Sequence, residues 1–96
     1  MKKKDAYLQK MKAQIDELQA DVDKLKAKSS GASADAKLKI DKHLKDLYKK
    51  MDESKEKMSK IAKASDDSWK SIKDGLDDSW KSMKKAFKEA ASSFKK

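Results

Sequence analysis

The amino-acid sequence predicts an all-α fold, an antiparallel helical hairpin with a short first helix and a long second helix held by coiled-coil packing. Three observations lead there. Ala, Glu, Lys and Leu fill 49 of 96 positions while Pro, Thr, Asn, Arg and Cys are absent, a composition of long helices. Apolar residues recur at alternating spacings of three and four through two long stretches, as a heptad seam requires. Near residue 65 the spacing changes to an 11-residue repeat. Because Leu, Ile, Val and Phe total only 14 and 45% of residues are charged, bulk composition alone would equally suit a disordered chain. The spacing decides for helices, since disorder has no reason to keep it.

Residues 1–28 form the first helix in this reading, with Leu8, Met11, Ile15, Leu18, Val22 and Leu25 as its seam. Leu8, Ile15 and Val22 take the a positions and Met11, Leu18 and Leu25 the d positions, a pattern suited to few partner helices. Residues 29–34 read as a turn, because Gly31 follows a lysine-rich helix end among small residues. Ser33 is the N-cap candidate for the next helix, and Asp35 places an acid where the helix dipole favours one.

Residues 35–65 carry the heptad part of the second helix. Ile40, Leu44, Leu47 and Met51 complete the hairpin seam, which continues through Ser54, Met58, Ile61 and Ser65. Acids four residues before lysines, such as Asp46 before Lys50, each add roughly 0.2 to 0.5 kcal/mol on an exposed helix.

Residues 66–96 hold the 11-residue repeat. Residues 66–76 and 77–87 agree at seven of eleven positions, and the stripe Trp69, Ile72, Leu76, Trp80, Met83, Phe87 extends through Ala91 to Phe94. A period of 11 residues over three turns keeps the stripe nearly straight. The stripe holds phase from Met58 and Ile61 through Ser65 to Trp69, with no Gly or Pro between, and this favours one continuous second helix of roughly 60 residues. The alternative is a three-helix bundle with a break near residues 64–67 and Ser65 as the cap of a third helix. Gly75 costs either version about 1 kcal/mol relative to Ala.

Several kinds of chemistry are excluded. Without Cys there is no disulfide, thiolate or Cys-based zinc site, and the lone His43 has no second histidine to share a metal. Paired acids such as Asp66 and Asp67 point about 100° apart on a helix and read as solubilising charges. No catalytic, cofactor-binding or metal-binding residue is expected, nor a small-molecule substrate. The basic start reaches Asp5 without an apolar run, so it does not read as a signal peptide, and no stretch approaches the ~20 apolar residues of a membrane span. A cytoplasmic protein is the expectation.

The net charge of +9 raises the question of polyanions. It is spread as +3, +4 and +2 over residues 1–33, 34–65 and 66–96, and every basic residue is lysine. Base reading and bidentate phosphate binding rely on arginine, so no specific nucleic-acid partner is expected.

Trp69 and Trp80 stand at equivalent positions of the repeat and admit two readings. One is a helix–helix seam in which Met58, Ile61, Trp69, Ile72, Leu76, Trp80, Met83, Phe87 and Phe94 drive self-association into a homo-oligomer or filament. The other is an anionic membrane surface, because Lys73 and Lys84 flank the stripe as in lipid-surface helices. Ser68, Gly75, Ser79 and Ala86 on the opposite edge would admit a second helix closely and tilt the reading to protein packing.

The paired Trp-containing 11-mers of residues 66–87 resemble the C-terminal part of small bacterial coiled-coil proteins described as stress-response proteins. Their amphipathic period is similar to that of exchangeable apolipoproteins, without the Pro punctuation of those repeats. The resemblance implies a non-enzymatic, stress-linked or surface-coating role and transfers no individual site residue.

Overall fold

The structure, a computed structural model, describes residues 3–92. Phe94, assigned to the apolar stripe from its spacing, lies outside the described residues. The chain is all-helical: α1 spans Lys3–Ser29, α2 Ala34–Lys63 and α3 Trp69–Ser92, with no strand among the described residues.

Helix α1 stops where serine hydroxyls compete for its last carbonyls. The Ser29 and Ser30 hydroxyls donate to the Lys26 and Ala27 carbonyls at 2.7 and 2.8 Å, and the Gly31 amide donates to the Lys28 carbonyl at 3.1 Å. Ser33 then caps α2 from an extended conformation (φ −62°, ψ 160°), its hydroxyl accepting from the Ala36 amide. Such a cap contributes about 1 kcal/mol.

The second helix does not run through as the unbroken phase suggests. Ala64 is extended (φ −79°, ψ 156°) and residues 64–68 are non-helical. The Ser65 hydroxyl accepts from the Ser68 amide at 3.2 Å, while Lys4 of α1 donates to the Ala62 and Ala64 carbonyls at 3.3 and 2.9 Å. Several of the loose backbone groups at the two helix ends therefore have partners. Breaking the helix gives up about four backbone hydrogen bonds, worth ~1 kcal/mol each net. Turning α3 back buries Trp69, Leu76 and Met83, at about 1.5 to 3 kcal/mol apiece.

Helix packing is that of a bundle measuring 49 × 19 × 17 Å. One apolar cluster joins Ile15, Leu18, Val22 and Leu25 of α1 to Ile40, Leu44, Leu47 and Met51 of α2, with Met83, Ala86 and Ala90 of α3. A second cluster near the α2–α3 turn joins Met11, Ile61, Trp69 and Leu76. Ser54 occupies a seam position as a fully buried serine, its hydroxyl 3.7 Å from the Met83 sulfur. The small side chain leaves room for the long thioether of Met83.

Candidate functional site

The two edges of the α3 stripe differ in bulk, and that difference shapes the molecule. On one edge the small Ser79 and Ala86 let α3 settle against α2, where the Lys57 ammonium donates to the Ser79 hydroxyl at 2.9 Å. On the other edge stand Lys73, Trp80, Lys84 and Phe87. Helix α3 lies close along α2 and meets α1 at few points.

One of those points is a polar clasp near the start of α1. The Tyr7 hydroxyl donates to Asp77 Oδ1 at 2.6 Å, and Lys73 Nζ donates to Asp77 Oδ2 at 2.9 Å. The Lys73 ammonium also sits 5.3 Å from the Tyr7 ring centre, and that ring tilts against Trp69 at 5.7 Å. Burial, followed by the hydrogen bond and charge of Asp77, holds the Tyr7 hydroxyl well above its ordinary pKa. Partial burial of Asp77 acts upward, but hydrogen bonds from Tyr7 and Lys73 and the charges of Lys73 and Lys81 outweigh it and hold the carboxyl below its usual range.

Beyond the clasp, a groove of about 430 Å³ lies between α1 and α3. Glu17, Leu18 and Asp21 line its α1 wall, and Trp80, Phe87, Lys84 and Lys88 its α3 wall. Trp80 and Phe87 are half-buried, whereas Leu18 is buried at its base. A smaller continuation of about 340 Å³ runs past Gln14 and Trp80 to Tyr7 and Asp77. The surface so formed is apolar along its floor and charged along both rims.

The residues singled out by spacing divide as follows. Of the hairpin seam, Met11, Ile15, Leu18, Val22, Leu25, Ile40, Leu44, Leu47 and Met51 are buried, and Leu8 is half-buried. Of the stripe, Ile61, Trp69, Leu76 and Met83 are buried within this one chain, while Met58, Ile72, Trp80 and Phe87 keep partial exposure. Trp69 and Trp80 thus have different surroundings despite equivalent repeat positions. Spacing does not reveal Tyr7 as a contact of α3; its only sequence signal is its place beside Leu8, with Lys73 and Asp77 four apart. Leu38 is the exposed large hydrophobic residue among those described, at 69%.

His43 Nδ1 lies 4.0 Å from Glu89 Oε2 on a half-exposed surface. Among the described residues, no group of three or more His, Asp or Glu side chains stands close enough to hold a metal ion. No helix there is long and apolar enough to cross a membrane. No protein-family model matches the chain, and neither a curated protein nor a solved structure matches it.

Proposed function

We propose that this chain is a non-enzymatic structural protein that self-associates, and that its unit is a three-helix bundle rather than a two-helix hairpin with a protruding overhang. The three-helix unit is favoured because α3 finds cover for Trp69, Leu76 and Met83 within the chain, whereas a lone overhang with few large apolar residues is marginal in water. The observation that carries self-association is the half-buried pair Trp80 and Phe87 in the α1/α3 groove, the part of the stripe that intramolecular packing leaves uncovered. Aromatic side chains at the centre of a charged rim are the composition of an interface core.

Sedimentation over a hundredfold concentration range tests the reading. The expected result is a mass that rises with concentration in the wild type, and a monomer of unchanged helix content in Trp80→Ala/Phe87→Ala. A wild-type mass that stays monomeric throughout defeats it.

A second reading, a lipid surface, draws on the same strip, because Lys84 and Lys88 flank Trp80 and Phe87 as they would at a headgroup layer. It expects a blue shift of Trp emission on anionic vesicles that survives high salt, since pure charge attraction is screened. Loss of the shift in salt removes it.

A further inference from the structure

We propose that the α1/α3 face is covered by a second copy of this chain in a closed parallel dimer, with the two-fold axis running along the bundle. The inference rests on the self-association reading and adds the surface, the symmetry and the charges that select it.

Four charges rim the groove, and they are sorted by wall. Glu17 and Asp21 stand on α1, and Lys84 and Lys88 stand on α3, with Trp80 and Phe87 between. Among the described residues none of the four makes an ion pair or side-chain hydrogen bond, although Asp46, Lys50, Lys73 and Asp77 on the same molecule do. Helices α1 and α3 are both antiparallel to α2 and so point the same way. The face therefore presents an acidic strip and a basic strip side by side, at one level along the bundle.

Two face-to-face symmetries are open to such a surface. With the axis across the helices, α1 lies on the partner's α1 and α3 on the partner's α3. Acid then meets acid and lysine meets lysine. With the axis along the bundle, α1 lies on the partner's α3 at the same level, so Glu17 and Asp21 meet Lys84 and Lys88 twice over. Both arrangements close and so stop growth into a filament, but only the second pairs opposite charges. The lower groove does not bias the choice, since Lys10 stands level with both Asp77 and Lys81. A face 49 Å long and 19 Å wide is large enough for the ~800 Å² per partner of a standard interface. Trp80 and Phe87 then form its dry centre, and the four charges its rim.

Two charge-reversed chains test the proposal, Glu17→Lys/Asp21→Lys and Lys84→Glu/Lys88→Glu, with helix content followed by circular dichroism. Each alone should dimerise at least about tenfold more weakly than the wild type, because like charges now face each other. An equimolar mixture should give a heterodimer as tight as the wild-type dimer. Loss of charge attraction across a chain's own groove would weaken each variant but would not be repaired by mixing. Glu17→Gln/Asp21→Gln serves where reversal disturbs folding, and should weaken the dimer to a lesser degree.

Orientation is read separately, because the chain has no cysteine and a single Ala6→Cys can carry a spin label. Ala6 lies about 18 Å along α1 from the level of Leu18, so labels should be about 15 Å apart in the parallel dimer and above about 35 Å in the crossed one. A wild-type dimer indifferent to all these charges, a long label distance, or unlimited growth with concentration overturns this inference while leaving self-association standing. A wild type that is monomeric at every concentration defeats both. A salt-resistant blue shift on vesicles in place of dimerisation names a lipid surface as the occupant and overturns the dimer.

Discussion

At the residue scale Tyr7 links the start of α1 to α3 through Asp77. Tyr7→Phe keeps the ring packing on Trp69 but leaves a partly buried carboxylate with one donor fewer, and should cost about 1 kcal/mol at neutral pH. The pH dependence follows from the two displaced groups. Asp77 titrates lower in the folded chain than its ordinary 3.8, so its contribution is complete above about pH 4 and is lost as pH falls through the depressed value. Tyr7 titrates higher when folded, so its contribution is complete below about pH 10 and is lost as pH rises beyond that. Urea midpoints at neutral and acid pH should show a loss of stability below pH 4 in the wild type and a shallower one in Tyr7→Phe. An identical acid slope in the two proteins would show that the clasp is not coupled to folding.

At the element scale, α3 is set by the unequal edges of its stripe. The small edge seats it on α2, and the bulky edge props it away from α1. Gly75 lies on the small edge, which raises the question of whether its missing side chain is needed for close approach. It is not: a Cβ built there finds the end of the Lys57 side chain 4.0 Å away and nothing nearer. Gly75→Ala should therefore stabilise the protein by about 1 kcal/mol through helix propensity alone. A higher melting temperature with an unchanged oligomeric state is the expected outcome, and a lower one would mean that α3 needs flexibility at this point. Ile61 and Trp69 share one core cluster on either side of residues 64–68. Their spacing of eight residues fits an unbroken helix and a five-residue turn alike, so spacing alone does not report continuity.

At the scale of the whole molecule, the burial of Leu76 separates a self-contained unit from an assembly-dependent one. Leu76 is fully buried among residues of its own chain, next to Trp69, Ile61 and Met11. Leu76→Ala should cost 2 to 5 kcal/mol, roughly the full effect of opening a cavity in a core. The same loss should appear across a hundredfold dilution, measured from denaturant midpoints. If the cost vanished in dilute protein, Leu76 would be covered by another copy, and the hairpin with an exposed overhang would regain its place.

The helical class, the turn around Gly31, the Ser33 cap and the inward set of α1 and early α2 were all legible in the sequence. They depend on spacing, capping and propensity, which act over one or two helical turns, and Met11 through Leu25 and Ile40 through Met51 repeat one spacing without interruption. The course of the chain after Lys63, the separate surroundings of Trp69 and Trp80, and the Tyr7–Asp77 clasp were decided only by tertiary structure. Each depends on a contact between helices far apart in sequence, and the balance behind it is non-local: helical hydrogen bonds lost near Ser65 against apolar area that α3 covers on α2. Periodicity marks which residues seek cover. Three-dimensional packing decides whether that cover comes from the same chain, as for Leu76, or is left open at a groove, as for Trp80 and Phe87.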